Sequence, residues 1–77
     1  MFFVYAIKSS VRNYIYVGLT NNLARRFGEH NSGRNKVTAP YFPFKLIYSK
    51  KFSSRVEVRK VEKYLKSGIG KERLKNL

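Results

Sequence analysis

A chain of 77 residues has room for one domain, since a chain near this size buries only about 60% of the surface its unfolded form exposes and cannot divide that core. Seventeen Lys and Arg stand against four Glu and no Asp, a net charge of +13 that points to a polyanion as partner, with nucleic acid ahead of an anionic membrane because neither a basic amphipathic helix with bulky apolar anchors nor a lipidation signal is evident. The absence of cysteine excludes disulfides and thiolate metal sites, leaving oxygen ligands or the single imidazole for any metal.

The apolar start, Met1 to Ile7, is ended by Lys8, far short of the roughly 20 residues a membrane span requires. It reads as a strand, Phe2 to Lys8, and with no basic segment before it the expected location is the cytoplasm. Ser9-Ser10-Val11-Arg12-Asn13 supplies turn residues, and Tyr14 to Leu19, rich in β-branched and aromatic residues, is the returning strand of a hairpin. Because strand side chains alternate, Tyr14, Tyr16 and Gly18 share one face, and Ile15, Val17 and Leu19 the other.

Thr20-Asn21-Asn22 offers N-cap candidates for a short helix carrying Leu23 and Phe27 one turn apart and ending near Asn31 to Gly33. Arg26 and His30 flank that apolar stripe, while Arg25 and Glu29 point elsewhere and are expected to pair. From Ser32 to Pro43 the composition turns to Gly, Asn, Thr and Pro, with Arg34 and Lys36 in a loop long enough to suggest a functional role. Phe44 to Phe52 is the third strand.

Ser53 or Ser54 can cap a second helix running to Lys66, with Gly68 as its left-handed stop. On this helix Val58, Val61 and Leu65 form the apolar stripe, Arg55, Arg59, Lys63 and Lys66 gather on a basic face, and Glu62 falls at the seam. Lys71 to Leu77 is read as a last short helix that closes the core with Ile69, Leu74 and Leu77. The order β-β-α-β-α-α with a tight first connection implies an α+β fold, a three-stranded antiparallel sheet flanked by helices.

Each candidate has an ordinary reading beside the chemical one. A partly buried Glu62 needs a metal, an arginine or several hydrogen bonds, yet Arg59 three residues before it and Lys66 four after have the spacing of plain helix ion pairs. His30 suits a helix C-terminus by its charge alone, and Tyr5 and Tyr16, eleven residues apart on paired strands, are amphipathic packing residues if taken singly.

The combination is more specific. Phe3-Val4-Tyr5, Tyr16-Val17-Gly18, Arg26, His30-Asn31 and Glu62 together resemble the GIY-YIG nuclease family in its small stand-alone branch, similar to the nuclease module of the bacterial excision-repair endonuclease. In that family the arginine follows the second motif's tyrosine by ten residues and a helix glutamate comes later, slots that Tyr16, Arg26 and Glu62 fill. Leu-x-Arg-Arg-x-x-x-His-Asn at Leu23 to Asn31 and Pro-Phe-Lys-Leu-Ile-Tyr at Pro43 to Tyr48 extend the resemblance over nearly the whole chain. Phe3 replaces the glycine of the first motif, Val17 the isoleucine of the second, and Leu19 stands where repair-enzyme relatives carry a lysine.

The resemblance implies an endonuclease hydrolysing DNA phosphodiester bonds. Glu62 would hold one Mg²⁺ or Mn²⁺, a hard ion that keeps its waters and suits a single carboxylate. Arg26 would neutralise a phosphate oxygen, Tyr16 or Tyr5 would orient or deprotonate the attacking water, and His30 would help the phenol, whose ordinary pKa of about 10 makes it a poor base. Arg34, Lys36, Arg55, Arg59, Lys63 and Lys66 would grip DNA phosphates without reading sequence. The rival expectation is a non-catalytic nucleic-acid-binding module of the same fold, for which Phe3 and Leu19 speak; an RNA-associated translation protein is disfavoured because binding alone needs no carboxylate.

Overall fold

The computed structural model describes residues 1–77. Segments rich in β-branched and aromatic residues yield β1 (Phe2–Ser9) and β2 (Ile15–Thr20), joined antiparallel with Tyr5 opposite Gly18 and Ile7 opposite Tyr16. After α1 (Leu23–Asn31) and a 3-10 turn (Ala39–Tyr41), β3 (Phe44–Phe52) pairs antiparallel with the other side of β1, giving the sheet order β2-β1-β3. Two helices, α2 (Arg55–Lys66) and α3 (Gly68–Lys75), complete an α+β fold in the expected order. The first strand runs one residue further than predicted and the second starts at Ile15 instead of Tyr14.

The period-two alternation divides the core. Val4, Ala6, Ile15 and Val17 point to the face covered by α2 and α3, where they meet Val58, Leu65 and Leu74. Tyr5, Ile7 and Phe44 point the other way and pack with Tyr14, Tyr16, Leu23, Phe27 and Tyr41, so α1 and the 3-10 turn cover an aromatic layer. This second layer carries the polar chemistry, because tyrosine presents an apolar ring to the core and a hydroxyl to a partner.

Each helix starts on a side-chain cap. Asn22 Oδ1 accepts from the Arg25 amide at 3.1 Å, Ser54 Oγ from Glu57 at 3.4 Å and Ser67 Oγ from Gly70 at 3.2 Å, satisfying donors the helix itself leaves unpaired. Asn31 ties the end of α1 to β3: its amide donates to the Phe44 carbonyl at 3.1 Å and its carbonyl accepts the Phe44 N–H at 2.5 Å.

The last helix departs from expectation. Ser67 caps both the end of α2 and the start of α3, so α3 begins at Gly68, and the left-handed glycine is Gly33 (φ 75°) instead. Starting there, the helix turns Ile69 about 140° away from Leu74, and Leu77 lies past its end. Leu74 is buried as expected, whereas Ile69 and Leu77 are exposed. No helix is long and apolar enough to cross a membrane.

Candidate active site

Three of the candidate residues, Tyr5, Tyr16 and His30, form one cluster. The Tyr5 ring crosses the position opposite it in the hairpin, which Gly18 leaves open: a Cβ there would lie 2.5 Å from the Tyr5 hydroxyl oxygen and 2.6 Å from Cζ. The hydroxyl reaches His30 Nε2 at 2.9 Å, and His30 Nδ1 meets the Thr38 hydroxyl at 2.8 Å. Tyr5, His30 and Thr38 are all enclosed, with His30 and Thr38 at 0% exposure. Tyr16, half-buried, completes the cluster with its ring centroid 4.9 Å from His30 and 6.3 Å from Tyr5.

Enclosure sets the protonation states. Burial, reinforced by Tyr16, Glu29 and Glu62 and opposed by Arg26, pushes the Tyr5 phenol far above its ordinary pKa. Burial, with Arg26 beside it and Glu29 opposing, lowers His30. At neutral pH both are therefore uncharged. A neutral imidazole has one donor and one acceptor nitrogen, so His30 donates to one hydroxyl and accepts from the other, and all four polar groups of the chain are satisfied.

Arg26 stands one helical turn before His30 on α1, and its positive charge lowers both the Tyr5 phenol and the imidazole. Its Nη1 lies 3.3 Å from Glu29 Oε1; Glu29 pairs with Arg26 at i,i+3 and not with Arg25 at i,i+4, although both spacings put the partners on one helix flank. Glu62 comes from α2, whose apolar stripe covers the opposite face of the sheet, yet its charge also bears on the Tyr5 hydroxyl. Its side chain is 20% exposed and its Oε2 lies 3.1 Å from Lys66 Nζ. Of the two helix partners weighed for Glu62, the structure chooses Lys66.

No group of three His, Cys, Asp or Glu residues is assembled anywhere, so a multi-carboxylate metal cage is absent. A single, largely enclosed carboxylate fits a hard cation that draws its remaining ligands from water and phosphate.

The predicted phosphate-binding residues split into two sets, all exposed. Arg34 and Lys36 lie in the loop that ends at Thr38, and Arg55, Arg59, Lys63 and Lys66 line α2. Arg55 is partly engaged, its guanidinium 5.3 Å from the centroid of the Phe2 ring. Sequence reasoning missed Thr38 and an open cleft of about 230 Å³ lined by Phe2, Leu19, Thr20, Asn21, Arg25 and Arg26. Only a Thr in an otherwise ordinary loop signalled the first, and nothing local signalled the second.

The family model described as the GIY-YIG catalytic domain matches residues 1–75. The chain belongs to the GIY-YIG family. That family is one of nucleases, with nucleic acid as substrate. Among its relatives, a UPF0213 protein of Staphylococcus haemolyticus is 34% identical over 74 residues, covering 95% of this chain and 89% of its own length. One from Streptococcus pneumoniae is 37% identical over 65 residues, 83% of this chain and 65% of that protein. One from Listeria monocytogenes is 43% identical over 61 residues, 78% and 67% respectively, so the GIY-YIG chain spans about two thirds of the length of the last two. The solution structure of the UPF0213 protein from Bacillus halodurans superposes with a TM-score of 0.59 at 31% identity, covering 99% of this chain and 84% of that one.

Proposed function

We propose that this GIY-YIG chain is a metal-dependent endonuclease that hydrolyses DNA phosphodiester bonds at the rim of the Tyr5–His30 cluster. The observation that carries the reading is the meeting of three elements at one hydroxyl: β1 supplies Tyr5, β2 supplies Tyr16 and the Gly18 opening, and α1 supplies His30 at hydrogen-bond distance. Packing alone needs no such convergence.

Glu62 is the residue that would hold Mg²⁺ or Mn²⁺, which supplies charge stabilisation at the scissile phosphate and the leaving oxygen. Arg26 exchanges Glu29 for a non-bridging phosphate oxygen, a charge-assisted contact. Tyr16, the less enclosed phenol, orients the attacking water. Tyr5 and His30, shut away from solvent, act through Tyr16 by fixing its place, and Tyr5 keeps its proton. The help expected of His30 is thereby confined to the two phenols it touches. Arg34, Lys36, Arg59 and Lys63, with no ion-pair partner in the chain, hold the flanking backbone.

The second reading, a nucleic-acid-binding module without catalysis, is favoured by the ion pairs that occupy Arg26 and Glu62. Purified protein and its Tyr16→Phe, Arg26→Ala and Glu62→Gln variants on supercoiled and branched DNA decide between them. Cleavage is expected to require a divalent cation, to stop on adding EDTA, and to fall by about 10²–10³ in each variant, the range seen when a transition-state contact is removed. Undiminished Mg²⁺-dependent cleavage by Glu62→Gln would falsify the metal role.

A further inference from the structure

The cleft beside Arg26 has a composition that a phosphate site does not require. Its floor is apolar, formed by Phe2 and Leu19, which are half-buried on the α2 side of the hairpin. Its rim is polar and cationic. Arg25 makes no ion pair and the Asn21 carboxamide has no partner within the chain, while Arg55 sits over the Phe2 ring. Thr20, by contrast, is spent locally: its hydroxyl accepts from the Asn22 amide at 3.0 Å and donates to the Asn22 carbonyl at 3.3 Å. Asn21, within that turn, is exposed and lines the cleft.

We infer that this cleft receives one unpaired nucleotide of the DNA strand, its base against Phe2 and Leu19, its polar edge toward Asn21 and its phosphates toward Arg25 and Arg26. Charge complementarity argues for a DNA occupant, and the half-buried apolar floor argues that a base comes with the phosphate. In a duplex the bases are stacked inward and only phosphates reach such a cleft; a base enters only if it is already single-stranded or is extruded. At about 230 Å³ the space is below the roughly 300–1,000 Å³ of drug-sized sites and suits a single base. Leu19 thereby has a role as part of the floor. The inference rests on the nuclease reading and narrows its substrate to DNA with an unpaired nucleotide.

Its test is a binding measurement made in EDTA with the intact chain. Two duplexes are compared by fluorescence anisotropy, identical except that one carries a single unpaired 2-aminopurine nucleotide. The unpaired substrate is expected to bind about ten-fold more tightly, as one base stacked on an aromatic ring allows, and the 2-aminopurine emission to rise on binding as the base leaves its stacked neighbours. Asn21→Ala, at an exposed position, and Phe2→Leu should both bring the preference toward unity while leaving affinity for the fully paired duplex within about two-fold; Asn21→Ala keeps the test decisive if Phe2→Leu fails to fold. Equal affinity for the two duplexes, unchanged emission, or a preference untouched by Asn21→Ala overturns the inference. Cleavage of DNA without the preference sinks this inference alone, whereas the preference without metal-dependent cleavage sinks only the nuclease reading.

Discussion

The Tyr5 hydroxyl and His30 Nε2 lie 2.9 Å apart across 25 residues of sequence, and this one contact joins the hairpin to α1 in the interior of the aromatic layer. Thr38 extends it by bonding the other ring nitrogen, so the imidazole is held from both ends. A ring gripped this way cannot turn, and Tyr16 packs directly against it.

Tyr5→Phe removes one grip and leaves His30 Nε2 enclosed without a partner. A stranded buried polar atom costs about 1–3 kcal/mol, and urea denaturation should register a loss of that size. Unchanged stability would mean that the contact carries no weight.

Thr38→Val makes the same test at the other nitrogen with almost no change of volume. A comparable loss of about 1–3 kcal/mol is expected, together with weaker cleavage, whereas Thr38→Ser, which restores the hydroxyl, should recover most of both. Failure of the serine to rescue would assign the effect to packing of the methyl group.

Gly18→Ala puts a Cβ against a tyrosine that cannot retreat, because its hydroxyl is tied to His30. Overpacking of this kind costs about 1–3 kcal/mol, and at roughly 4–8 °C per kcal/mol for a domain of this size thermal unfolding should show a clear drop in Tm. A variant melting with the parent would contradict the close approach.

The lowered pKa of His30 gives stability a pH dependence of determinate sign. Between the folded value and the ordinary 6.5 the unfolded chain binds the proton and the folded chain does not, so stability is fully present above about 6.5 and is lost as pH falls below it. The slope cannot exceed about 1.4 kcal/mol per pH unit for one proton. Denaturant titrations from neutral to mildly acidic pH should show it in the parent, and its persistence in His30→Gln would move the cause elsewhere.

Glu62→Gln separates function from stability. Its only ion pair, with half-exposed Lys66, is of the kind worth about 0–1 kcal/mol, so the variant should melt close to the parent even as metal-dependent cleavage collapses. Among the cations, removing one that holds a phosphate should flatten the log–log salt dependence of DNA affinity by about 0.9; a slope unmoved by Arg59→Ala would take that residue off the DNA.

What the sequence alone determined is whatever repeats along it. Alternation in β2 assigned Tyr14 and Tyr16 to one face and Ile15, Val17 and Leu19 to the other, helical spacing put Val58 and Leu65 inward, cap candidates at Thr20 to Asn22 and at Ser53 or Ser54 marked helix starts, and the excess of Lys and Arg named a polyanion. The spacing of Tyr5, Tyr16, Arg26 and Glu62 carried the family. Tertiary structure alone decided which partner each residue meets. It paired Glu29 with Arg26 and Glu62 with Lys66, turned Ile69 and Leu77 outward once Ser67 had started α3 early, brought Thr38 to His30, and made a cleft from the ends of β1, β2 and α1. The physical reason is that periodicity is local and fixes the side of an element on which a side chain stands. What covers that side depends on distant segments and on where each helix begins, and a hydrogen bond between Tyr5 and His30 leaves no mark on the residues beside either of them.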